Sequence, residues 1–507
     1  MENLRRKIFF WTLTLVFFVT APVVVLHARG YRFDLSRGVF VYSGTITFKA
    51  NPQEVSVDIN GKRNESTQLN RINNSFNISG LLPGDYDIKI SRDGFQSWNK
   101  KTDVHSGLSS EFWNVILVRN SYERLDENAV GVNKFFTSPG NSYIALADKT
   151  EKDLEVKIFN IDDQAVEKTY SLVGWKLIGD AKRENIEWSP KEDYLSVPVE
   201  LSVQQDSTKA KRDAAEEKGS VPSQNYFIID PQTETPINLG QFLGISDIRN
   251  VRWDPREKDY LFFLSEASLF RANIKNNADI VKIADNVSNF DLSKTAVYYL
   301  QLPNNIVYKS DLDGQSGKNQ ITSFFPEAGS QDISKMIVYD DLRIVFLAEN
   351  GDFYVYNKGE FDTYFKKLGN AVSGMHFSDD GKKLLFWTDN EISVYFLREW
   401  GVQPIRHENE LSNITRYSES ISNVQWFKDY EHVIFSTGRY VKFIELDPRD
   451  HRNSADLINT ELEAPFAIYN SYLEKLYFTD RKDDSGGLFS IVFPEEVSLL
   501  GIGVGGL

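Results

Sequence analysis

Residues 377–387 read Phe-Ser-Asp-Asp-Gly-Lys-Lys-Leu-Leu-Phe-Trp: an aromatic residue, a polar turn with glycine, then an apolar run. The pattern returns at Phe136-Thr-Ser-Pro-Gly-Asn, Trp188-Ser-Pro-Lys-Glu-Asp, Trp253-Asp-Pro-Arg-Glu-Lys, Phe290-Asp-Leu-Ser-Lys, Tyr339-Asp-Asp-Leu-Arg, Trp426-Phe-Lys-Asp-Tyr-Glu and Tyr469-Asn-Ser-Tyr-Leu-Glu. Runs such as Val297-Tyr-Tyr-Leu, Ile344-Val-Phe-Leu and Val433-Ile-Phe-Ser follow, with the aromatic and β-branched content of strands. The eight occurrences lie about 48 residues apart on average, near the roughly 40–50 residues of a propeller blade. They predict an eight-bladed β-propeller over 122–493. Seven blades are the alternative, because the repeat at Tyr339 is shorter and lacks the usual Pro or Gly. The last repeat is short of a fourth strand. Residues 122–128 are similar to the blade-ending segment 280–286, so the start of this region is expected to complete the final blade.

Phe377-Ser-Asp-Asp-Gly-Lys resembles the Phe-Ser-Pro-Asp-Gly-Lys signature of TolB-like and WD40-like propeller repeats. Ile306-Val-Tyr-Lys-Ser-Asp-Leu-Asp-Gly, ending in Gln320-Ile321-Thr322, resembles it too. The resemblance implies a fold and no particular ligand. In each repeat the aromatic residue is expected to end the innermost strand and pack between neighbouring blades.

Upstream, period-two alternation marks half-buried strands at Ile46, Phe48 and Ala50, at Val55, Val57 and Ile59, and at Tyr86, Ile88 and Ile90. Asn60-Gly61 is a type I′ hairpin signal and Leu82-Pro83-Gly84-Asp85 a turn. With Phe112 to Val118 as a closing strand, residues 45–118 predict a small β-sandwich. The run Gly80-Leu81-Leu82-Pro83-Gly84-Asp85-Tyr86, followed by Asp93-Gly94-Phe95 and Trp98, resembles the PEGA domain. Asn51-Pro52-Gln53-Glu54-Val55 departs from the Pro-Glu-Gly-Ala pattern of that family by lacking its glycine and alanine. The resemblance implies a non-catalytic, extracytoplasmic bacterial module. Phe95 and Trp98 are expected to pack within the fold rather than form a sugar platform.

Ile8 to Leu26 carries no charge, and as a helix it spans roughly the 30 Å of a bilayer's hydrocarbon. A signal peptide has a shorter apolar region and a small-residue cleavage site, which this segment lacks. An uncleaved transmembrane helix over 8–26 is expected. Arg5, Arg6 and Lys7 precede it and Arg29, Arg32 and Arg37 follow it, so counting basic residues does not settle orientation. A short basic tail, residues 1–7, is readily retained in the cytoplasm, and long domains translocate largely regardless of charge. The expected location is the cytoplasmic membrane, single-pass, with the N-terminus inside and the bulk outside.

The 507 residues carry a net charge of −15 despite the basic N-terminus, an unfavourable field for nucleic acid. With no cysteine, thiol nucleophiles, disulfides and Cys-ligated metals are excluded. The six histidines are scattered without zinc spacing, and no nucleophile elbow accompanies a candidate triad. Asp311-Leu312-Asp313-Gly314 lacks the distal glutamate of a calcium loop and reads as a turn. No catalytic residue, metal or cofactor is expected, and the binding residues are unassigned. Two further segments are expected to lie outside the core: the charged stretch from Ser202 to Gln224, as a solvent-exposed excursion, and 494–507, as a flexible tail. Together these features predict an anchored binding or envelope-scaffold protein that presents its propeller to a protein or neutral glycan. The alternative is an envelope hydrolase or lyase with its active site at the channel mouth.

Overall fold

The computed structural model describes residues 2–64, 68–70, 73–149, 153–178, 186–202, 224–315, 317–326, 332–359, 362–482 and 485–494. A helix, α1 (Glu2–Ala28), contains the uncharged stretch and is exposed along its length. Its length and composition suit a membrane span, and an N-terminal signal sequence has the same properties. A two-stranded ribbon, β1 (Tyr31–Asp34) and β2 (Val39–Tyr42), follows immediately. The ribbon is not among the expected elements, because each strand is only four residues long and Val39–Tyr42 is apolar on both faces.

Two four-stranded sheets then enclose a single core that includes Ile46, Phe48, Ile78, Ile88, Ile90 and Phe112. Strand Ser109–Ile116 runs parallel to Gly44–Asn51, while the remaining pairings are antiparallel. Asn60 and Gly61 both take positive φ between paired strands Ser56–Ile59 and Lys62–Arg63, as a type I′ turn requires.

Beyond the sandwich, antiparallel sheets succeed one another at 134–172, 175–238, 249–285, 287–320, 333–369, 372–416, 421–459 and 467–492. They are numbered one to eight below. The central strands are covered on both faces, which explains their continuous apolar runs. Ile344, Phe346 and Ala348 face a cluster shared with the fourth sheet, while Val345 and Leu347 face one shared with the sixth. The same division holds at 433–435, where Val433 and Phe435 turn one way and Ile434 the other. Each sheet thus shares one apolar interface with its predecessor and another with its successor.

The succession returns to its start. Phe135, Ile144 and Leu146 of the first sheet pack with Tyr477 and Leu488 of the last. Strand Leu125–Val130 pairs antiparallel with Ser485–Val492, placing Leu125 opposite Ser490 and completing the last sheet with the earliest strand of this region. Arg124 reaches Asp480 at 2.7 Å and Ser490 Oγ donates to Glu127, fastening that strand. Consecutive antiparallel sheets whose interfaces run round to the beginning form a β-propeller.

The recurrent motif has a local cause. In Phe377-Ser-Asp-Asp-Gly-Lys, buried Ser378 Oγ accepts from Lys383 N at 3.0 Å and donates to Asp380, whose carboxylate accepts from Lys382 N. Gly381 supplies the positive φ. Ser138 and Ser189 close equivalent turns onto Tyr143 N and Tyr194 N. The Ser202–Gln224 excursion leaves and returns at neighbouring register positions, since Glu200 pairs with Gln224; residues 203–223 and the tail at 495–507 lie outside the described residues.

Truncating a side chain at a fully buried interface should lower stability by the lost transfer energy plus a cavity cost. Phe346→Ala is expected to destabilise the propeller by about 3–5 kcal/mol in denaturant unfolding. A loss below about 1 kcal/mol would contradict the two-sided burial.

Candidate functional site: a charged channel and a sealed interdomain seat

The first strands of neighbouring sheets meet one another and form the inner wall of the ring. Three tryptophans tie that wall together: Trp188 Nε1 donates to Phe136 O, Trp253 Nε1 to Glu187 O, and Trp426 Nε1 to His376 O, at 3.0, 3.0 and 3.3 Å. These three repeat aromatics therefore also hydrogen-bond to the preceding sheet. A cavity of about 360 Å³ opens among these strands, lined in part by Phe136, Glu187, Arg252, Asp291, Lys335 and Ile337.

Four successive sheets contribute charges there. Arg252 Nε lies 3.1 Å from Glu187 Oε2, and its Nη1 lies 2.6 Å from Asp291 Oδ1. The other Asp291 oxygen accepts from Val338 N at 2.7 Å, extending the network to the fifth sheet. Burial raises the Glu187 carboxyl above its ordinary range, although Arg252 opposes the shift. Glu187 and then Asp291 hold Arg252 firmly protonated. Burial followed by repulsion from Arg252 lowers the Lys335 ammonium, which has no salt bridge among the described residues. Next round the ring, His376 meets Trp387 edge-on at 5.6 Å and remains accessible to solvent. Although the ring reaches solvent, desolvation by the protein crowded around it on the inner wall, and then Lys335, push its pKa down to about 4. This arrangement supplies a fixed guanidinium, one available ammonium and a neutral imidazole. Among the described residues it contains no hydrogen-bonded nucleophile and base.

The second arrangement joins the sandwich to the propeller. Strand Trp98–Val104 alternates with Trp98, Lys100, Thr102 and Val104 inward, placing a lysine on an apolar face. Lys100 Nζ lies 2.6 Å from Glu445 Oε1 and donates to the carbonyls of Asp447, Arg449 and His451. Trp98 Nε1 donates to the other Glu445 oxygen at 2.8 Å. Lys100 and Glu445 are 1% and 4% exposed, so the pair is buried. Asn453 donates to Glu445 and exchanges hydrogen bonds with the Asn99 backbone. Nearby, the Arg449 guanidinium lies 4.0 Å from the centre of the Phe112 ring and donates to Glu111 O, while Gln403 exchanges two hydrogen bonds with Ser109 and Glu111. A cleft of about 800 Å³ beside this seat is lined by Asp85, Asp103, His105 and Asp450, among others. A hydrogen bond from Asp103 raises the Asp85 carboxyl.

Trp98 is therefore packed, as expected, and its edge is committed to Glu445. Phe95 lies between the Arg92 and Arg119 guanidiniums. Arg5, Arg6 and Lys7 sit on the exposed first turns of α1. Asp313, from the calcium-like turn, pairs with Arg256 and Arg271. The sequence reading missed the seat, although Lys100 on the inward side of an alternating strand was a visible signal. The channel charges carried none, because each belongs to a different repeat.

The sheet order and ring of interfaces define a β-propeller protein. No protein-family model matches the chain, and no curated protein matches it. Among solved structures it is similar to the Dos1 propeller, with a TM-score of 0.45, 11% identity, and coverage of 74% of this chain and 95% of that one. It is also similar to a eukaryotic initiation factor, with a TM-score of 0.43, 12% identity, and coverage of 72% and 87%. For Porphyromonas gingivalis dipeptidyl peptidase 4 the TM-score is 0.42 and identity 9%, with coverage of 69% of this chain and 56% of that one.

Removing one member of the seat strands the other charge. Lys100→Met should destabilise the sandwich–propeller joint by about 3–5 kcal/mol, with Lys100→Met/Glu445→Leu recovering part of the loss. Denaturant unfolding and protease cleavage near 119–124 would measure both changes. An unchanged joint in the single variant would contradict the assignment.

For His376, the sign follows from its lowered pKa. The unfolded chain takes up the imidazole proton near pH 6.5 and the folded chain near 4, so this group reduces stability as pH falls through that interval. His376→Gln should remove that component of the pH slope. The ring C–H resonances of His376 should titrate near pH 4; titration near 6.5 would contradict desolvation of the ring by the channel wall.

Proposed function

We propose that the chain is a single-pass protein of a bacterial cytoplasmic membrane, with its N-terminus inside and its sandwich and propeller outside. In this reading the sandwich is a PEGA-type module and the eight sheets are the blades of one closed ring. The protein is a non-catalytic envelope scaffold that presents the propeller to a protein or neutral-glycan partner. The observation supporting it is the seat: a spacer joined through buried Lys100 and Glu445 carries the propeller at a fixed orientation rather than on a tether. The acidic net charge disfavours polyanionic partners.

The channel supports a second reading, that of a hydrolase or lyase. Glu187, Lys335 and His376 come from three different repeats, have shifted proton affinities and lie on the inner wall of the ring. In that case Lys335→Met would abolish turnover of an envelope glycan or peptide by the purified protein.

External protease on intact spheroplasts should degrade the sandwich and propeller while leaving a short N-terminal fragment beginning at Met1. Complete protection of the large region would reverse the orientation. Co-purification of one envelope protein or glycan with the intact chain, lost on substitution of propeller residues, is expected for the scaffold. Metal-independent or metal-dependent hydrolysis by the purified chain would overturn the non-catalytic reading.

A further inference from the structure

The ribbon β1–β2 has an unusual surface for a segment in water. Its register sets Tyr31 opposite Tyr42 and Phe33 opposite Phe40, and both ring pairs lie 5.2 Å apart. Alternation places all four rings on one face. Phe33 and Tyr42 are 47% and 45% exposed, and Leu35 at the turn is 88% exposed. Arg29 and Arg37 are exposed at the ends of the same segment. Isolated two-stranded ribbons are marginal in water, and such a face calls for a covering surface.

The ribbon is held in place. Arg32 donates to the carbonyl of His27 near the end of α1, and Ser43 N and Oγ both donate to Gly30 O. Ser106 Oγ donates to Tyr42 O from the sandwich. Gly30 and Gly107, both at positive φ, lie against the Tyr42 ring, where an added Cβ would come within 2.9 Å. Helix end, ribbon and sandwich are therefore one connected piece.

We propose that the ribbon is a membrane-interfacial collar whose aromatic face and Leu35 sit in the headgroup layer of the bilayer that α1 crosses. This rests on the membrane-spanning reading of α1. The occupant follows from continuity: the uncharged segment ends at Leu26, and Tyr31 begins only five residues later. At about 1.5 Å per residue, the segment is used up by the hydrocarbon layer just before the ribbon begins. Tyrosine rings and arginine side chains suit the headgroup zone, and arginines favour anionic lipid there. The collar would set the height of the sandwich above the bilayer.

The chain has no cysteine, so single reporters can be introduced without background. Leu35→Cys, Phe18→Cys and Tyr472→Cys, each labelled with an environment-sensitive fluorophore, would be compared in full-length protein reconstituted into phosphatidylcholine vesicles with and without phosphatidylglycerol. The Leu35 reporter should be quenched more by lipids brominated near the headgroup than by those brominated near the chain ends. Aqueous iodide should quench it severalfold less than the Tyr472 reporter, with greater protection in anionic vesicles. The Phe18 reporter, in the middle of α1, should be quenched best by the deep bromines. Phe18 quenched deeply while Leu35 matches Tyr472 in iodide would overturn the collar and leave the span intact. Phe18 open to iodide would overturn the span itself and the collar with it. Phe33→Ser, an exposed position changed in the Leu35→Cys background, should keep its fold by circular dichroism and lose much of the iodide protection of the Leu35 reporter; retained protection would contradict the proposed face.

Discussion

The arrangement of the domains depends on where the ammonium of Lys100 ends. A buried lysine is costly unless its charge is matched and its protons are accepted, and here Glu445 and three carbonyls of the 447–451 segment do both. The acceptors belong to the propeller and the donor to the sandwich, so neither domain satisfies the site alone. Trp98 occupies the other Glu445 oxygen, leaving that carboxylate no reason to turn toward water. Arg449 on Phe112 and Gln403 on the 109–111 backbone extend the seat sideways and resist rotation about the lysine. Val118, the last apolar residue of the sandwich chain, packs into the cluster between the seventh and eighth sheets. The connection is therefore packed at its beginning and fastened at Arg124 near its end.

The propeller has a different logic, in which no single contact dominates. Each sheet has two apolar faces and neither can be left in water, so each needs a neighbour on both sides. A linear stack would leave two faces bare, whereas packing the last sheet against the first covers them. Pairing Leu125–Val130 with Ser485–Val492 joins the two ends of the region through backbone hydrogen bonds as well. The inner wall then gathers polar groups that the interfaces cannot accept. Glu187, Arg252 and Asp291 pair across three sheets there, while Lys335 and His376 are left to solvent and to whatever enters the channel.

Much of this architecture was legible because its causes are local. Ser378 and Gly381 build one turn from adjacent residues, and a turn repeated with an aromatic before it and an apolar run after it marks each strand pair. The sandwich was legible for the same reason, through alternation at 46–50 and 86–90 and the Asn60-Gly61 turn. The pairing of Leu125 with Ser490 was accessible only by comparing repeat endings. What escaped was whatever depends on residues far apart in the chain. Lys100 and Glu445 are brought together by docking, and the channel charges by closure of the ring. The ribbon at 31–42 escaped because its strands are only four residues long and Val39–Tyr42 is apolar on both faces, with Phe40 and Tyr42 on one side and Val39 and Val41 on the other.

Rigid coupling of sandwich and propeller is the claim on which the scaffold account turns. It is tested most directly by the distance distribution between spin labels at Lys62, on the exposed tip of the sandwich, and Tyr472, exposed on the last sheet, in full-length protein. Double electron–electron resonance should give one narrow distribution that is unchanged between detergent and bilayer. A broad or multimodal distribution would mean that the two domains move independently, and would contradict the account.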